Sequence, residues 1–551
     1  MKLNNENMQD IVKLVYDTIQ WNQKKIDDYN LPSKLKFDYL FVTIIKNGKI
    51  LACQAGKEAD NLFEYIIQAT KQCLNDKRFD FDTQKEDVSV LKVCINILYN
   101  KKSFYNLKID DLKKTITPGI NAVQIQKWNK KALFKESVQI SKNYSTKNLL
   151  QKLSLKAWIG KNGYLSKNSK ISIFDTFSFI WYYNLSVNEL YRHNILVNVG
   201  DIDLNNIKSR LSLAKNWFQN NINPPTWLLE YMYYPSKWKY EESNNQIRQL
   251  ASVWAVTELD NFFETKDFEM LSKNTINFYL KYIKDEGDYA YLKIHKNSIA
   301  NSAFFIMILL NCYEYSFWQK SKIDNIIEKL ADGILIMQRN DGSYYTKFHT
   351  QEISWIDFFP WESMLALMKL YEHTWNTKYL NSVLKAFPYY KNYWQKNKTT
   401  AFIPWQTQAL YLLNKYKPST EIQDFIFEMN DWIIDTYQVF DSQHKDFIWW
   451  FRKPNPTIWT TSYMEGILDA YDLANNINDE YHRVKYMNTI IQATRFIFQL
   501  QYTYQNSFYI QNLEPVVWWF RQSLTNNQLR NDNTQHASFA LMKIYKSWIF
   551  S

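Results

Sequence analysis

The chain has 551 residues, too long for one ordinary core, so two or more domains are expected. Apolar residues make up 46% and Gly only 10 of the 551, which points to large packed cores and away from Gly-rich phosphate loops and turn-dense all-β folds. The net charge of +11 comes from lysines spread along the chain, which reads as a solvated surface and gives no concentrated tract for nucleic acid or membrane.

Cys53, Cys73, Cys94 and Cys312 show no CxxC spacing and are expected as free thiols in a reducing compartment. The opening Met1-Lys2-Leu3-Asn4-Asn5 has no apolar signal core, and no run of about 18 uncharged apolar residues occurs. A cytoplasmic protein is expected, without a membrane or nucleic-acid partner. The abundance of Asn, Lys and Ile reads as bacterial-type, AT-rich composition.

In chain order, residues 8–29 read as a helix, with Ile11, Leu14, Val15 and Ile19 at helical spacing. Residues 39–45 form a β-rich run, Asn47-Gly48 signals a hairpin, and 50–53 return as a strand. A second helix is expected over 62–74 and further strands over 88–98 and 123–126. This is an α+β domain.

The hairpin 41–53, Asn75-Asp76-Lys77-Arg78-Phe79, Val93-Cys94-Ile95-Asn96-Ile97-Leu98, Thr117-Pro118-Gly119-Ile120 and Leu155-Lys156-Ala157 follow one another at spacings that resemble the AMMECR domain family. The family's usual Leu-Arg-Gly-Cys-Ile-Gly stretch corresponds to Ile50-Leu51-Ala52-Cys53-Gln54-Ala55. Only Cys53 is kept, and Leu51 stands where the family has Arg. Without that cation the obvious means of activating Cys53 is lost. Cys53 is therefore either a small apolar core residue or a thiol site, and the domain is a docking surface for a protein partner in one reading of the whole.

From about Ile171 onward the pattern changes to helix-length segments with a recurrent connecting turn, clearest at Gln338-Arg339-Asn340-Asp341-Gly342-Ser343-Tyr344. First members are expected near Asn206, Asp267, Ile323, Thr377, Glu421 and Asp479, second members near Gln246, Ser298, Pro360, Pro404, Trp459 and Asp532. Small residues in the second members (Ala251, Ala303, Ala366, Ala409, Gly466, Ala537) suit close helix approach. The expected organisation is multidomain: an α+β domain over 1–168, a helical junction over 169–200, and a mainly α (α/α)6 toroid over 201–551. The toroid resembles a superfamily that includes terpene cyclases and glycan epimerases, lyases and hydrolases. That resemblance implies an architecture and leaves the reaction open.

Residues at the N-terminal ends of the inner helices line the mouth of such a funnel. Glu362 and His536 fall at equivalent depth and are the candidate acid/base pair. The dipole at a helix N-terminus would favour ionised Glu362, hence a base or nucleophile. Trp361, Trp405, Trp449, Trp459 and Trp518 offer faces for a sugar, with Glu465 and Asp532 as polar partners. Arg452 and Arg521 each follow a Trp-Trp-Phe triplet and could grip an anionic group. Magnesium motifs of terpene cyclases, a His-Glu-x-x-His zinc helix, a P-loop and GxGxxG are absent from the sequence, so neither metal nor cofactor is expected. The favoured reading is a carbohydrate-active protein that modifies a glycan or uronate-like substrate by hydrolysis, elimination or epimerisation. The rivals are a non-enzymatic protein that recognises a glycan or peptide, and a thiol-dependent activity at Cys53.

Overall fold

The Asn-Gly turn makes its hairpin: β1 (Tyr39–Lys46) pairs antiparallel with β2 (Lys49–Ala55). The computed structural model describes residues 3–550 apart from 23, 33–34, 57–58, 60, 77–86, 183–186, 224, 316–318, 449 and 452–455. With β3 (Lys92–Tyr105), β4 (Asn121–Lys127), β5 (Lys130–Phe134) and β6 (Ser169–Tyr182), the hairpin builds an antiparallel sheet of order β2-β1-β3-β6-β4-β5. Helices α1 (Asn5–Ile19) and α2 (Leu62–Leu74) bury Ile11, Leu14, Val15 and Ile66 against Leu40, Val42 and Ile95 of one sheet region. The side chains of Asn4 and Asn61 cap these two helices. Helices α3 (Ile109–Thr115), α4 (Glu136–Ser141) and α5 (Thr146–Lys156) follow, and α3 and α5 cover the β4–β6 end through Leu112, Leu149 and Leu153. Of the Asp76–Phe79 motif only Asp76 lies within the described residues.

Within the expected helical junction over 169–200, residues 169–182, 188–191 and 194–195 are instead extended. β6 lies between β3 and β4, and β7 (Asn188–Tyr191) and β8 (Asn194–Ile195) continue from it. The physical reason is visible in the residues. Ile171, Ile173, Phe177 and Phe179 alternate with Ser172, Phe174 and Ser178, which is the period of a strand buried on both faces. A boundary at 168 would strip the sheet of an interior strand.

The toroid alternates outer and inner helices. The outer ones are α6 (Leu204–Asn220), α8 (Glu269–Leu280), α10 (Lys320–Ile336), α12 (Thr377–Lys396), α14 (Thr420–Tyr437) and α16 (Glu480–Leu500). The inner ones are α7 (Gln246–Phe263), α9 (Ile299–Asn311), α11 (Phe359–Thr374), α13 (Ile403–Tyr416), α15 (Trp459–Asn476) and α17 (Asn531–Lys546). Each inner helix packs on the next, and α17 packs on α7, so the ring closes. The first outer helix, α6, packs on the last inner one, α17. Inner helices are buried on every side, as in α9, where Ile299 through Leu309 are all buried. Gly466 permits the α13–α15 contact: a Cβ there would stand 3.2 Å from the Pro404 Cα.

The two domains are joined by packing as well as by the chain. Gly48, at φ +74°, places the hairpin tip so close to the Ile510 carbonyl that any Cβ would collide with it. Phe508 inserts among Ile45, Ile180, Tyr182 and Leu190. Arg192 forms a buried two-pronged pair with Asp446, at 2.6 and 3.2 Å, and also donates to the Pro118 carbonyl.

A candidate acid–base site in the funnel

The N-terminal ends of α7, α9, α11, α13, α15 and α17 surround a cavity of about 400 Å³. Trp254, Phe304, Trp405 and Phe539 close its floor, with ring centroids 4.4 to 6.3 Å apart in successive contacts. Below them a second, charged recess opens at the opposite mouth, with Glu258, Lys369, Asp469 and Lys543 in its wall. The funnel is therefore blind.

Glu362 and His536 both line this cavity. Glu362 stands in the first turn of α11, after Pro360, whose fixed φ suits a helix start. Its side chain is buried and Oε2 has no hydrogen-bond partner. Burial pushes its pKa from 4.5 to about 8. This corrects the expectation of an ionised Glu362. A helix N-terminus is worth about 0.3–1 kcal/mol to a carboxylate, less than the cost of charging a carboxyl without a partner in a dry wall. With its pKa raised to about 8, the Glu362 carboxyl keeps its proton at neutral pH.

His536 Nδ1 lies 2.6 Å from Glu465 Oε1. Glu465 is almost fully buried, is not among the residues lining the cavity, and holds the imidazole. A carboxylate at Nδ1 keeps a hydrogen on that nitrogen, so the neutral form of the ring carries its lone pair on Nε2. Behind Glu465, Gln408 Nε2 approaches Oε2 at 3.4 Å, and Lys543 connects Gln408 to Asp469. Asp532 also lines the cavity, clamped by Arg530 at 2.9 and 2.8 Å and by Arg248 at 2.8 Å. Burial acts to raise its pKa, but the two guanidiniums outweigh it and the carboxyl stays below the usual range.

Trp405 and Trp459 are in the wall, and each ring centroid is 6.2 Å from the His536 ring. Both also border a neighbouring lobe of about 310 Å³ with Ser462 and Tyr463. Trp361 is not in the wall. It is fully buried between Tyr390 and Phe402, with centroids 4.5 and 4.6 Å away. Trp518 packs on Tyr504 and is not among the residues lining the cavity. Arg521 does not reach the funnel either: its buried guanidinium donates to the Gln499 carbonyl at 2.7 Å and lies over Tyr502. Trp449 and Arg452 lie outside the described residues.

Sequence reasoning missed Arg248 and Lys296, both in the cavity wall. Arg248 had a usable signal, since it falls in the first turn of an inner helix as Glu362 does. Lys296 sits in a loop at φ +62° and had none. Among the described residues there is no group of three or more His, Cys, Asp or Glu able to hold a metal ion, and no helix long and apolar enough to cross a membrane.

Residues 12–179 match the AMMECR1 family model. No curated protein matches the chain. An uncharacterized protein of Pyrococcus horikoshii aligns with 34% of the chain and 99% of its own, at 16% identity and TM-score 0.31. A D-mannose isomerase aligns over 62% of the chain and 98% of its own, at 11% identity and TM-score 0.46. A family 76 glycoside hydrolase from a bovine Bacteroides thetaiotaomicron strain aligns over 83% and 96%, at 10% identity and TM-score 0.45. Residues 12–179 are thus similar to the AMMECR1 family, and a closed ring of six helix pairs follows them.

Proposed function

We propose that the toroid is a glycan-modifying enzyme that works by proton transfer inside the funnel. The observation that carries this reading is the pairing of opposite proton tendencies on one cavity wall. Glu362 holds a proton at neutral pH, and His536, backed by Glu465, offers a lone pair. Trp405 and Trp459 beside His536 supply flat apolar faces for sugar C–H surfaces, and Asp532 supplies hydrogen-bond acceptors for hydroxyls. Arg248 and Lys296 give the wall positive charge suited to a uronate-like substrate. Glu362 is the proton donor to a leaving or ring oxygen, and His536 Nε2 the proton acceptor.

The test is turnover of a panel of neutral and uronate oligosaccharides and free sugars, followed by proton NMR. Wild type should convert at least one member, with Glu362→Gln and His536→Asn each slower by roughly 10²-fold or more. A sugar that binds without conversion would favour recognition over catalysis. Equal turnover by Glu362→Gln would remove the acid role.

A further inference from the structure

The junction between the domains encloses a second cavity, of about 330 Å³, remote from the funnel. Thr43 and Ile45 of β1, Cys94 of β3 and Lys135 form one wall, His193 of the connecting segment the back, and Tyr509 and Ile510 of the toroid the other wall. Lys135 Nζ donates to Thr43 Oγ1 at 2.6 Å and to Asn96 Oδ1 at 2.8 Å, and it also faces the Cys53 sulfur. A cation therefore stands beside Cys53 after all, supplied by a residue 82 positions later in the chain. Behind this group Glu136, buried, accepts from Asn96 at 2.6 Å and from Ser178 at 2.9 Å. His193 is 6% exposed, packs on Phe508 and Tyr509, and its Nδ1 has no hydrogen-bond partner. Burial, with Lys135 and Arg521 nearby, pushes its pKa down to about 3, so the ring is neutral. No Asp or Glu is in the wall, while Lys49 and Lys142 join Lys135 there.

We propose that this junction is a ligand site for a small carboxylate that also carries a hydroxyl hydrogen. The carboxylate displaces the Cys53 sulfur from the Lys135 ammonium, whose other two hydrogens stay on Thr43 and Asn96, the hydroxyl donates to His193 Nδ1, and a short alkyl part lies on Ile45 and Ile510. Because both domains form the walls, the site exists only in the joined chain.

The experiment is calorimetric titration of the full chain with lactate and with its neutral amide, lactamide. Lactate should saturate one site, and lactamide should bind at least roughly tenfold more weakly, since it lacks the charge-assisted bond. Lys135→Met should weaken lactate by a similar factor, and Glu362→Gln should leave it unchanged. Should Lys135→Met not fold, the lactate-to-lactamide ratio of the wild type decides alone. No saturable lactate binding, equal affinity for both compounds, or lactate binding that survives Lys135→Met would each overturn the proposal.

A different observation carries a second inference. Trp21, Trp128, Trp158, Trp227, Trp238, Trp355, Trp375 and Trp548 all adopt φ between +55° and +59°. They are the eight tryptophans exposed to solvent among the described residues. Trp21, Trp158, Trp375 and Trp548 lie at or just beyond the C-terminal ends of α1, α5, α11 and α17, where a left-handed glycine ordinarily ends a helix. Trp128 occupies the turn between β4 and β5. A bulky side chain in this conformation is an outlier once, and eight together with none on an exposed right-handed residue form a pattern. The chain also holds only 10 Gly against 21 Trp, far below the roughly 7% Gly of ordinary proteins.

We infer that these eight positions are glycine in the protein as its own cell makes it, through a codon read there as glycine. Buried right-handed tryptophans such as Trp254, Trp394 and Trp405 keep their identity. Peptide mass spectrometry of the protein isolated from its native cells tests this. Glycine masses at the eight positions, with tryptophan at Trp254 and Trp405, are expected. Tryptophan at all of them would overturn the inference.

Discussion

His536 Nδ1 and Glu465 Oε1 stand 2.6 Å apart across the contact between α17 and α15, neighbouring inner helices of the ring. The carboxylate is buried and the imidazole reaches the cavity, so the pair has a hidden end and a working end. Glu465→Gln should let the new amide present its NH₂ to Nδ1 and so favour the opposite ring tautomer. Long-range nitrogen–proton NMR of the histidines should show His536 with hydrogen on Nδ1 in wild type and a mixture in the variant. An unchanged tautomer would mean that Glu465 does not orient the ring.

Glu362 ties stability to pH. Its folded pKa, about 8, lies above the ordinary 4.5, so the folded state holds the proton more tightly than the unfolded one. That contribution is complete below the unfolded value and is lost as pH rises through the folded one. Between pH 4.5 and 8 the wild type should lose stability relative to Glu362→Gln by up to about 1.4 kcal/mol per pH unit. Urea denaturation of both proteins across this window measures it. Parallel stability curves would show that Glu362 ionises normally.

Asp532 has the opposite sign. Arg530 and Arg248 hold its pKa down, so its contribution is present at neutral pH and fades as pH falls through the folded value. Arg248→Met leaves one partner on a buried carboxylate and should cost about 1.5–3 kcal/mol at neutral pH. The difference between wild type and variant should shrink in acid. A constant difference across pH would assign the loss to packing instead.

A buried ion pair reinforces the packing at the domain junction. Arg192 and Asp446 are both shielded from water, and removing one leaves the other charged and unpaired. Arg192→Met should cost about 3–5 kcal/mol and divide one unfolding transition into two. Calorimetry that still shows a single transition at the wild-type temperature would contradict this.

The toroid was largely legible because each inner helix carries its signal locally: a small residue for close packing and a polar first turn. Starts expected at Gln246 and Trp459 coincide with α7 and α15, and those at Ser298, Pro360, Pro404 and Asp532 fall within a residue of the observed ones. The strand at 169–182 was missed because the strands that pair with its two edges, β3 and β4, lie far away in sequence. Glu362 and Asp532 stand in the first turns of α11 and α17 and His536 one turn further along α17, and all three line one cavity. What could not be read was burial. The dipole argument for Glu362 failed on desolvation, Glu465 proved to be a support for His536, and the repeated Trp-Trp-Phe-Arg pattern led Arg521 to a backbone carbonyl. Lys135 beside Cys53 was likewise invisible, since it stands just after β5, at the far edge of the sheet from β2, and meets Cys53 only through the tertiary fold.

Everything proposed for the funnel depends on Glu362 carrying a proton at neutral pH. Infrared difference spectroscopy of wild type against Glu362→Gln, recorded through a pH titration, reads that proton directly. A protonated-carboxyl C=O band present at pH 6 and lost with a midpoint near 8 is the predicted result. A carboxylate band already complete at pH 6, with a midpoint near the ordinary 4.5, would contradict the acid role.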